Sequence, residues 1–224
     1  MARRSRRYRK QAEQVSREAV SLEQAIEKIK SFKANFDQSV DCVLNLGIDP
    51  KKADQLVRGS ISLPHGIGKQ KRVIAFCEEG EAEAAKSAGA VESGVDELVK
   101  KVEGGWSDFE VAIASPKVMS KVGKLGRVLG PQGKMPSPKN GTVTDDVATA
   151  VAEFAAGKIE YRNDAGGNVH AVVGKVSFEK KKLLENIEAF VSHIKKIKPT
   201  AAKGTYIKKA CLTASMSPGI EVSV

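Results

Sequence analysis

The chain has 224 residues, of which 41% are hydrophobic and 29% are charged, and its formal net charge is +10. This length is sufficient for one large domain or two small ones, and the excess of cations favours an anionic polymer or surface as the partner. The sequence contains neither an apolar run long enough to span a membrane nor the apolar region of a secretory signal. We therefore expect a cytoplasmic protein with no membrane partner.

The first ten residues, MARRSRRYRK, carry six cations and no acid. Such a block buries no core by itself, so it is predicted to be disordered in isolation. Two functions remain open for it: an arm that neutralises RNA phosphates, and a solubilising tail or organelle-targeting stub. The basic character of the rest of the chain favours the RNA-binding arm.

A helix and a strand are predicted between residues 21 and 46. Ser21 and Gln24 fit a capping box, and apolar residues follow at helical spacing as far as Phe32. From Val40 to Leu46 every second residue is apolar, which is typical of a half-buried strand.

The segment after this strand predicts a short helix and a connection. Asp49 and Pro50 have the character of an N-cap and a first helical residue, and Gly59 is expected to end the helix. The Pro- and Gly-rich segment 63–69 then predicts a connection and a domain boundary.

From residue 71 the pattern changes to alternating strands and helices. The run at 109–114 is apolar throughout, which indicates a strand buried on both faces. Gly157 is the expected C-cap of the last helix in this region. The pattern predicts a small α/β unit with a mostly parallel sheet, in which strands lie at 71–77 and 109–114 and helices at 81–89, 95–102 and 144–156.

After residue 157 the pattern returns to strands and a long amphipathic helix. A hairpin turn at 163–168 is expected to join the first two strands, and Pro199 is expected to end the helix. These elements predict an α+β arrangement, with strands at 158–163 and 168–176, a helix at 179–198, and a last strand at 205–214 that leaves as a turn at 215–219.

The three cysteines, Cys42, Cys77 and Cys211, lie far apart, and each lies within an apolar run. Their odd number and wide spacing predict buried thiols in a reducing compartment, with no disulfide framework. None of the three histidines has the cysteine or carboxylate spacing of a zinc site, so no metal is predicted.

The stretch 115–141 holds six cations, five glycines and four prolines, and no acid. Cations without local counter-charges are typical of a surface that meets phosphate, and a basic solvated loop is the alternative. The cations of this basic loop are Lys117, Lys121, Lys124, Arg127, Lys134 and Lys139.

Within this stretch, KLGRVLGPQGKMPSPKNGTV (124–143) closely resembles the signature of the L-one family of bacterial large-subunit ribosomal proteins, which belong to the mobile stalk. The resemblance continues through 36–69, 161–178 and 203–219. It implies two domains: a discontinuous α+β RNA-binding domain of split βαβ type, and an inserted Rossmann-like domain of the three-layer α/β class.

The distribution of charge supports the same layout. Residues 1–66 have a net charge of +5, residues 67–157 of −1 and residues 158–224 of +6. The excess positive charge therefore lies in the two outer segments, which we expect to pair into one composite RNA-binding domain. The nearly neutral segment 67–157 is the predicted insertion.

The resemblance also implies which residues contact RNA. They lie at the start of the first strand, in the segment 162–170, and in the last strand with its turn: Phe36, Ser39, Arg162, Asp164, His170, Lys208, Thr213, Ser215, Met216, Ser217 and Pro218. By the same resemblance, the basic loop at 117–139 is expected to be a second, weaker RNA face.

Some of these assignments have structural alternatives. Phe36 also fits a core position, and His170 fits a structural role in its strand equally well. Two residues depart from the family pattern, because Ser217 stands where glycine is usual and Ala165 where lysine is common. Both departures are expected to reduce affinity or specificity slightly.

By resemblance, the partners are large-subunit rRNA, the E-site tRNA, the mRNA of the protein's own operon and other ribosomal components. The chain is predicted not to be an enzyme and to use no cofactor or small-molecule substrate. Gly133-Lys134 fails the Walker spacing, Gly66-Ile67-Gly68 precedes a strand instead of following one, and no G-x-S-x-G elbow is present. The alternative is an RNA-acting enzyme or a free RNA-binding regulator with the same fold.

Overall fold

A computed structural model describes residues 4–16, 18–32 and 34–223. The chain divides into two compact units, Met1–Gly68 with Ile159–Val224, and Lys69–Lys158. The predicted class, with α+β and α/β parts, is confirmed as a mixed α/β fold. The independent domains 1–66 with 158–224 and 67–157 stay a prediction.

The described residues form nine strands and eight α-helices. The strands are β1 (Ser39–Leu46), β2 (Arg58–Ile61), β3 (Val73–Phe76), β4 (Glu92–Ser93), β5 (Val111–Ala114), β6 (Ile159–Arg162), β7 (Asn168–Lys175), β8 (Ile207–Ala214) and β9 (Ile220–Val222). The helices are α1 (Arg6–Glu13), α2 (Leu22–Ser31), α3 (Glu79–Ser87), α4 (Asp96–Glu103), α5 (Met119–Val122), α6 (Gly126–Gln132), α7 (Val147–Ala156) and α8 (Lys180–Lys196). Among the described helices, none combines the length and apolar character needed to cross a lipid bilayer.

The main sheet of the first unit has the antiparallel order β7-β1-β8-β9. Its β1 strand alternates as predicted, and Val40, Cys42, Leu44 and Leu46 are buried in the core. Helices α2 and α8 contribute to the same core. Because successive strand residues point to opposite faces, the residues between these four lie on the other face of the sheet.

That second face is only partly buried, and we call it the open face. The strand register places Asp41 beside Val172 and Thr213, Val43 beside His170 and Cys211, and Asn45 beside Asn168 and Lys209. The open face is formed by Ser39, Asp41, Val43 and Asn45 of β1, Asn168, His170 and Val172 of β7, and Lys209, Cys211 and Thr213 of β8.

Helix α8 supplies the largest share of the helical core in this unit. Leu183, Ile187, Phe190, Val191 and Ile194 are buried at helical spacing, as predicted. Burial of each large side chain stabilises the fold by about 1.5–3 kcal/mol. Helix α2 begins where predicted, directly after its N-cap residue Ser21. The Ser21 side chain accepts a hydrogen bond from the Gln24 backbone N–H.

The sheet of the second unit is parallel, with the order β4-β3-β5. Strands β3 and β5 are buried along their whole length, as the apolar run at 109–114 predicts. Apolar side chains of α3 and α7 pack in one core cluster, and those of α4 and the segment 118–129 pack in another. The sheet therefore lies between two helical layers.

The short helix predicted after Asp49-Pro50 is wrong. Only a single 3-10 turn, Ala53–Gln55, forms there. The Asp49 carboxylate accepts from the Lys51 backbone N–H at 3.1 Å and stabilises a turn. Gly59 lies inside β2 opposite Tyr161, and a Cβ atom at Gly59 would lie 2.6 Å from the Tyr161 hydroxyl oxygen. Pairing with a distant strand overrides the local helix signal.

The basic stretch 115–141 was predicted to be a loop, but it forms a succession of helical turns. It contains α5, α6 and three 3-10 turns. Val118, Val122, Leu125 and Leu129 repeat at helical spacing and are buried in the core. Their burial outweighs the glycines and prolines, which indicated an irregular segment.

Four smaller predictions are also wrong. The basic N-terminus is not disordered throughout, because α1 forms over Arg6–Glu13, although residues 1–3 lie outside the described part. The strand at 205–214 is not the last one, because β9 follows it. The turn predicted at 163–168 forms, with an antiparallel bridge between Asn163 and Val169, but the two strands do not continue as a hairpin, because β6 pairs with β2 and β7 with β1. Cys211 is only partly buried, whereas Cys42 and Cys77 are buried as predicted.

One buried polar side chain connects α8 to the segment 63–69. Asn186 is fully buried, its Oδ1 accepts from the His65 N–H at 3.1 Å, and its Nδ2 donates to the carbonyls of Gly66 at 2.9 Å and Val173 at 2.8 Å. Three backbone groups thus depend on one amide.

We predict that Asn186→Leu lowers the free energy of unfolding by about 3 kcal/mol, because it leaves buried backbone groups unpaired. Urea unfolding monitored by circular dichroism measures this loss. The exposed neighbour Glu188 provides the control, since Glu188→Ala is expected to change stability by less than about 0.5 kcal/mol. Equal stability of the two variants would contradict the role of Asn186.

Candidate nucleic-acid interface

The first group of predicted RNA-binding residues meets at one end of the open face. The backbone N–H of Ser215 donates to the Ser39 carbonyl at 3.1 Å, and that of Met216 donates to Gln38 Oε1 at 2.9 Å. Phe36 and Met216 remain 52% and 53% exposed. Residues that are far apart in sequence are thereby joined, while two large apolar side chains face solvent.

The turn after β8 is shaped by its own hydroxyl groups. Thr213 Oγ1 donates to the Ser217 carbonyl at 3.3 Å, and Ser217 Oγ accepts from the Ala214 N–H at 2.9 Å. Pro218 is buried. Ser217 and Pro218 therefore fix the geometry of the turn, and Ser215 and Met216 are its exposed residues.

The second group lies at the opposite end of the open face, around the turn at 164–168. Asp164 Oδ1 accepts from the N–H groups of Gly166 at 2.8 Å and Asn168 at 2.7 Å, and Oδ2 accepts from Asn168 Nδ2 at 2.9 Å. Asn45 Nδ2 donates to Asn168 Oδ1 at 2.7 Å. The Asp164 carboxylate is thus largely occupied within the protein and orders the turn.

These hydrogen bonds, above all that from the Asn168 side chain, lower the pKa of Asp164 to about 2. His170 Nε2 lies 3.6 Å from Asp164 Oδ2, and the His170 ring is exposed on the open face. His170 therefore lies between the Asp164 turn and the centre of the face.

The two predicted cations of this domain lie near the same end. Arg162 is exposed and pairs in register with Arg58, so two arginines occupy directly opposite positions on β6 and β2. Lys208 is exposed where the register of β8 against β1 is shifted. Arg162 and Lys208 thus place two exposed cations at this end, which is a pattern that suits phosphate.

The sequence did not single out four polar or charged residues that lie on or next to this surface outside the segment 162–170: Asp41, Asn45, Arg58 and Lys209. The alternation of β1 was visible, so the outward positions 41 and 45 could have been chosen along with Ser39. Arg58 was hidden by the incorrect helix at 49–59. Lys209 forms an ion pair with Glu221 at 2.5 Å, a contact that depends on the unpredicted strand β9.

The second predicted face, on the second unit, has fewer available cations than its sequence suggests. Lys117 pairs with Glu78 at 3.4 Å, and Lys121 pairs with Asp96 at 2.8 Å. Lys134 is partly buried. Its ammonium group donates to the Ser107 carbonyl at 2.9 Å and lies over the ring of Phe109. In the described part of the chain, the exposed cations of this stretch without an ion pair are Lys124, Arg127 and Lys139.

The second unit also contains a crevice of about 590 Å³ where β3 ends and α4 begins. Its lining includes Cys77, Glu78, Asp96, Lys117 and Lys121. The two lysines are paired with the two acids, so the crevice presents no unbalanced cation to an anionic ligand. Over the residues that the structure describes, no three metal-binding side chains come together.

The Asp164 turn generates a pH prediction. Because its folded-state pKa is lowered to about 2, the carboxylate stabilises the turn at neutral pH, and this effect is lost only as the pH falls through about 2. We predict that Asn168→Ala raises the Asp164 pKa toward the ordinary range of a carboxyl group. A carboxyl-detected NMR titration measures both values. An unchanged titration in the variant would contradict the hydrogen-bonded turn.

Residues 25–218 match the ribosomal protein L1p/L10e family. Proteins named large ribosomal subunit protein uL1 are 50% identical in Thermobifida fusca and Cutibacterium acnes and 49% identical in Corynebacterium glutamicum. The alignments cover 98%, 98% and 99% of this chain and 94%, 95% and 95% of those proteins. These names are those of ribosomal proteins, which confirms the prediction that the chain is not an enzyme. The chain belongs to the ribosomal protein L1p/L10e family.

Proposed function

We propose that this protein is a structural component of the large ribosomal subunit in the cytoplasm, and that its open face and the turn 215–218 bind large-subunit rRNA in the stalk. The observation that carries the proposal is the pair of hydrogen bonds that the backbone N–H groups of 215–216 donate to the Ser39 carbonyl and the Gln38 side chain. They hold Phe36 and Met216 outward in one patch, although burial of both would be favoured in a free protein.

The chemistry of this patch suits a folded RNA. Apolar side chains pack against ribose and base surfaces, while hydroxyl groups such as those of Ser39 and Ser215 exchange hydrogen bonds with ribose hydroxyls. Arg162 and Lys208, at the other end of the face, suit phosphates, which position RNA and supply affinity. The open face therefore offers cations that bind phosphate at one end and a patch that contacts riboses and bases at the other.

Two further partners are proposed: the E-site tRNA for the second unit, and the operon mRNA for the open face. We infer that Lys124, Arg127 and Lys139 meet the E-site tRNA, since their charges are not neutralised by neighbouring acids. The operon mRNA would occupy the open face, in competition with rRNA. Because both RNAs would use the same surface, the mRNA is bound, and its translation repressed, when the protein is in excess over rRNA.

Helix α1 forms an additional contact with RNA in this proposal. Arg6, Arg7, Arg9 and Lys10 are exposed, and α1 contains no buried residue. Spacing along the helix places these four cations on one side, opposite Tyr8. Such a cationic surface suits the phosphate backbone and raises affinity without reading sequence.

We predict that Met216→Asp weakens binding to large-subunit rRNA by about 2 kcal/mol, roughly 30-fold, because it places an unpaired anion against RNA. Filter binding with purified rRNA measures the loss. Val91 is 51% exposed on the second unit, so Val91→Asp is the matched control and is expected to retain affinity. Equal effects of both variants would remove the turn from the proposed interface.

For helix α1 we predict a change in salt dependence. The double variant Arg6→Gln, Lys10→Gln should reduce the slope of log K against log salt concentration by about 1–2, because fewer phosphate counterions are released. The control variant Lys86→Gln, Lys100→Gln removes the same charge from exposed positions of the second unit. If both variants have the wild-type slope, α1 does not contact phosphate.

A further inference from the structure

Asp41 has an unusual position for an acid in a protein that binds a polyanion. It lies near the centre of the open face, between Val172 of β7 and Thr213 of β8. It is only partly buried, so its carboxylate is directed to the face that the proposed function assigns to RNA. Within the described residues, this carboxylate accepts no hydrogen bond and forms no ion pair.

The other acids around the sheet differ from Asp41 in this respect. Asp37 accepts hydrogen bonds from the N–H of Ser177 at 3.1 Å and from its hydroxyl at 2.8 Å. Asp164 is held by the turn that it orders, and Glu221 is paired with a lysine. Asp41 therefore stands out as the carboxylate whose acceptor sites the protein leaves unused.

The environment of Asp41 is unfavourable to its charge. Partial burial removes water from the carboxylate and raises its pKa, and the nearby His170 opposes this effect. In its ionised form the Asp41 carboxylate is only a hydrogen-bond acceptor. Next to RNA, the Asp41 carboxylate either repels a phosphate or accepts a hydrogen bond from a donor group.

We propose that Asp41 is a specificity-determining residue that accepts a hydrogen bond from a donor group of the bound RNA. This inference rests on the proposed function of the open face. Among the donors of RNA, the 2′-hydroxyl is present on every ribose, and the N1–H and N2–H groups of guanine form an adjacent pair that matches the two carboxylate oxygens. Both are donors that a carboxylate receives through a charge-assisted hydrogen bond.

Such a contact would discriminate in a way that the surrounding cations do not. Lysine and arginine attract any phosphate, so their contacts carry little sequence information. A carboxylate repels an RNA that places a phosphate at this position and retains one that places a donor there. Selection against wrong partners is a common source of specificity.

The isosteric variant Asp41→Asn separates the two roles by the sign of its effect. If Asp41 only repels RNA, loss of its charge tightens binding. If Asp41 accepts a donor, the variant binds large-subunit rRNA about 10-fold more weakly or worse, the loss typical of a hydrogen bond to a charged group. Glu188→Gln, on an exposed position of α8, is the matched control and should bind as tightly as wild type or slightly more tightly.

Interference mapping identifies the RNA group. Pools of rRNA sparsely substituted with 2′-fluoro nucleotides or with inosine are selected for binding, and the excluded positions are read out. We expect one position to interfere with wild type and not with Asp41→Asn. A 2′-fluoro signal assigns the ribose hydroxyl, and an inosine signal assigns the guanine amino group.

The outcomes are distinct from those that test the proposed function. If wild type shows no specific rRNA binding, both proposals are wrong. If wild type binds but Asp41→Asn binds equally or more tightly, or gives the same interference pattern, only the role of Asp41 is overturned. Asp41→Ser, which also lacks the carboxylate, provides the same comparison should Asp41→Asn unfold, as thermal unfolding would reveal.

Discussion

The structure depends on the pairing of one strand from the first part of the chain with two strands from the last part. Strand β1 lies between β7 and β8, and both pairings are antiparallel. Backbone hydrogen bonds on its two edges and core side chains on one face fix β1 in register. A slip by one residue would exchange the buried Val40, Cys42 and Leu44 for Asp41 and Val43, which is why the register is strongly determined.

The same pairing creates the candidate RNA-binding surface. Asp41, Val43 and Asn45 of β1 each have neighbours from β7 and β8, so the centre of this surface is not local in sequence. The exposed Met216 is held beside Gln38 because β8 ends next to the start of β1. The Asp164 turn is ordered at the far end because β7 begins beside Asn45. The two ends of the surface are thus consequences of one sheet.

The extent to which sequence predicted the fold follows from the range of the interactions involved. Helix α8 and strand β1 were predictable because their apolar periodicity is unambiguous, and α2 carries its own N-cap signal at Ser21. The segment 49–59 was misjudged because β2 is stabilised by β6, about a hundred residues away, and local propensity is a weak guide there. The basic stretch was misjudged because its glycines and prolines obscured four buried apolar residues.

The candidate site was predictable to a similar degree. The resemblance directed attention to Phe36, Met216 and His170, and their positions agree with a common surface, although their contacts with RNA stay a prediction. Which residues of the two turns are available to a ligand, and which only shape the turn, was not predictable. Whether Ser217 faces a ligand or its own backbone, and whether Asp164 is available, depends on hydrogen-bond geometry that no spacing rule encodes.

The central position of β1 has a consequence for synthesis of the protein. Gln38 contacts a residue 178 positions later, so β1 leaves the ribosome long before its neighbours exist. The second unit, whose strands and helices are contiguous in sequence, has all of its residues available earlier. Long-range antiparallel pairing forms late because a large loop must close first. A nascent or truncated chain that ends before β8 consequently lacks the complete surface, and with it the proposed RNA-binding site.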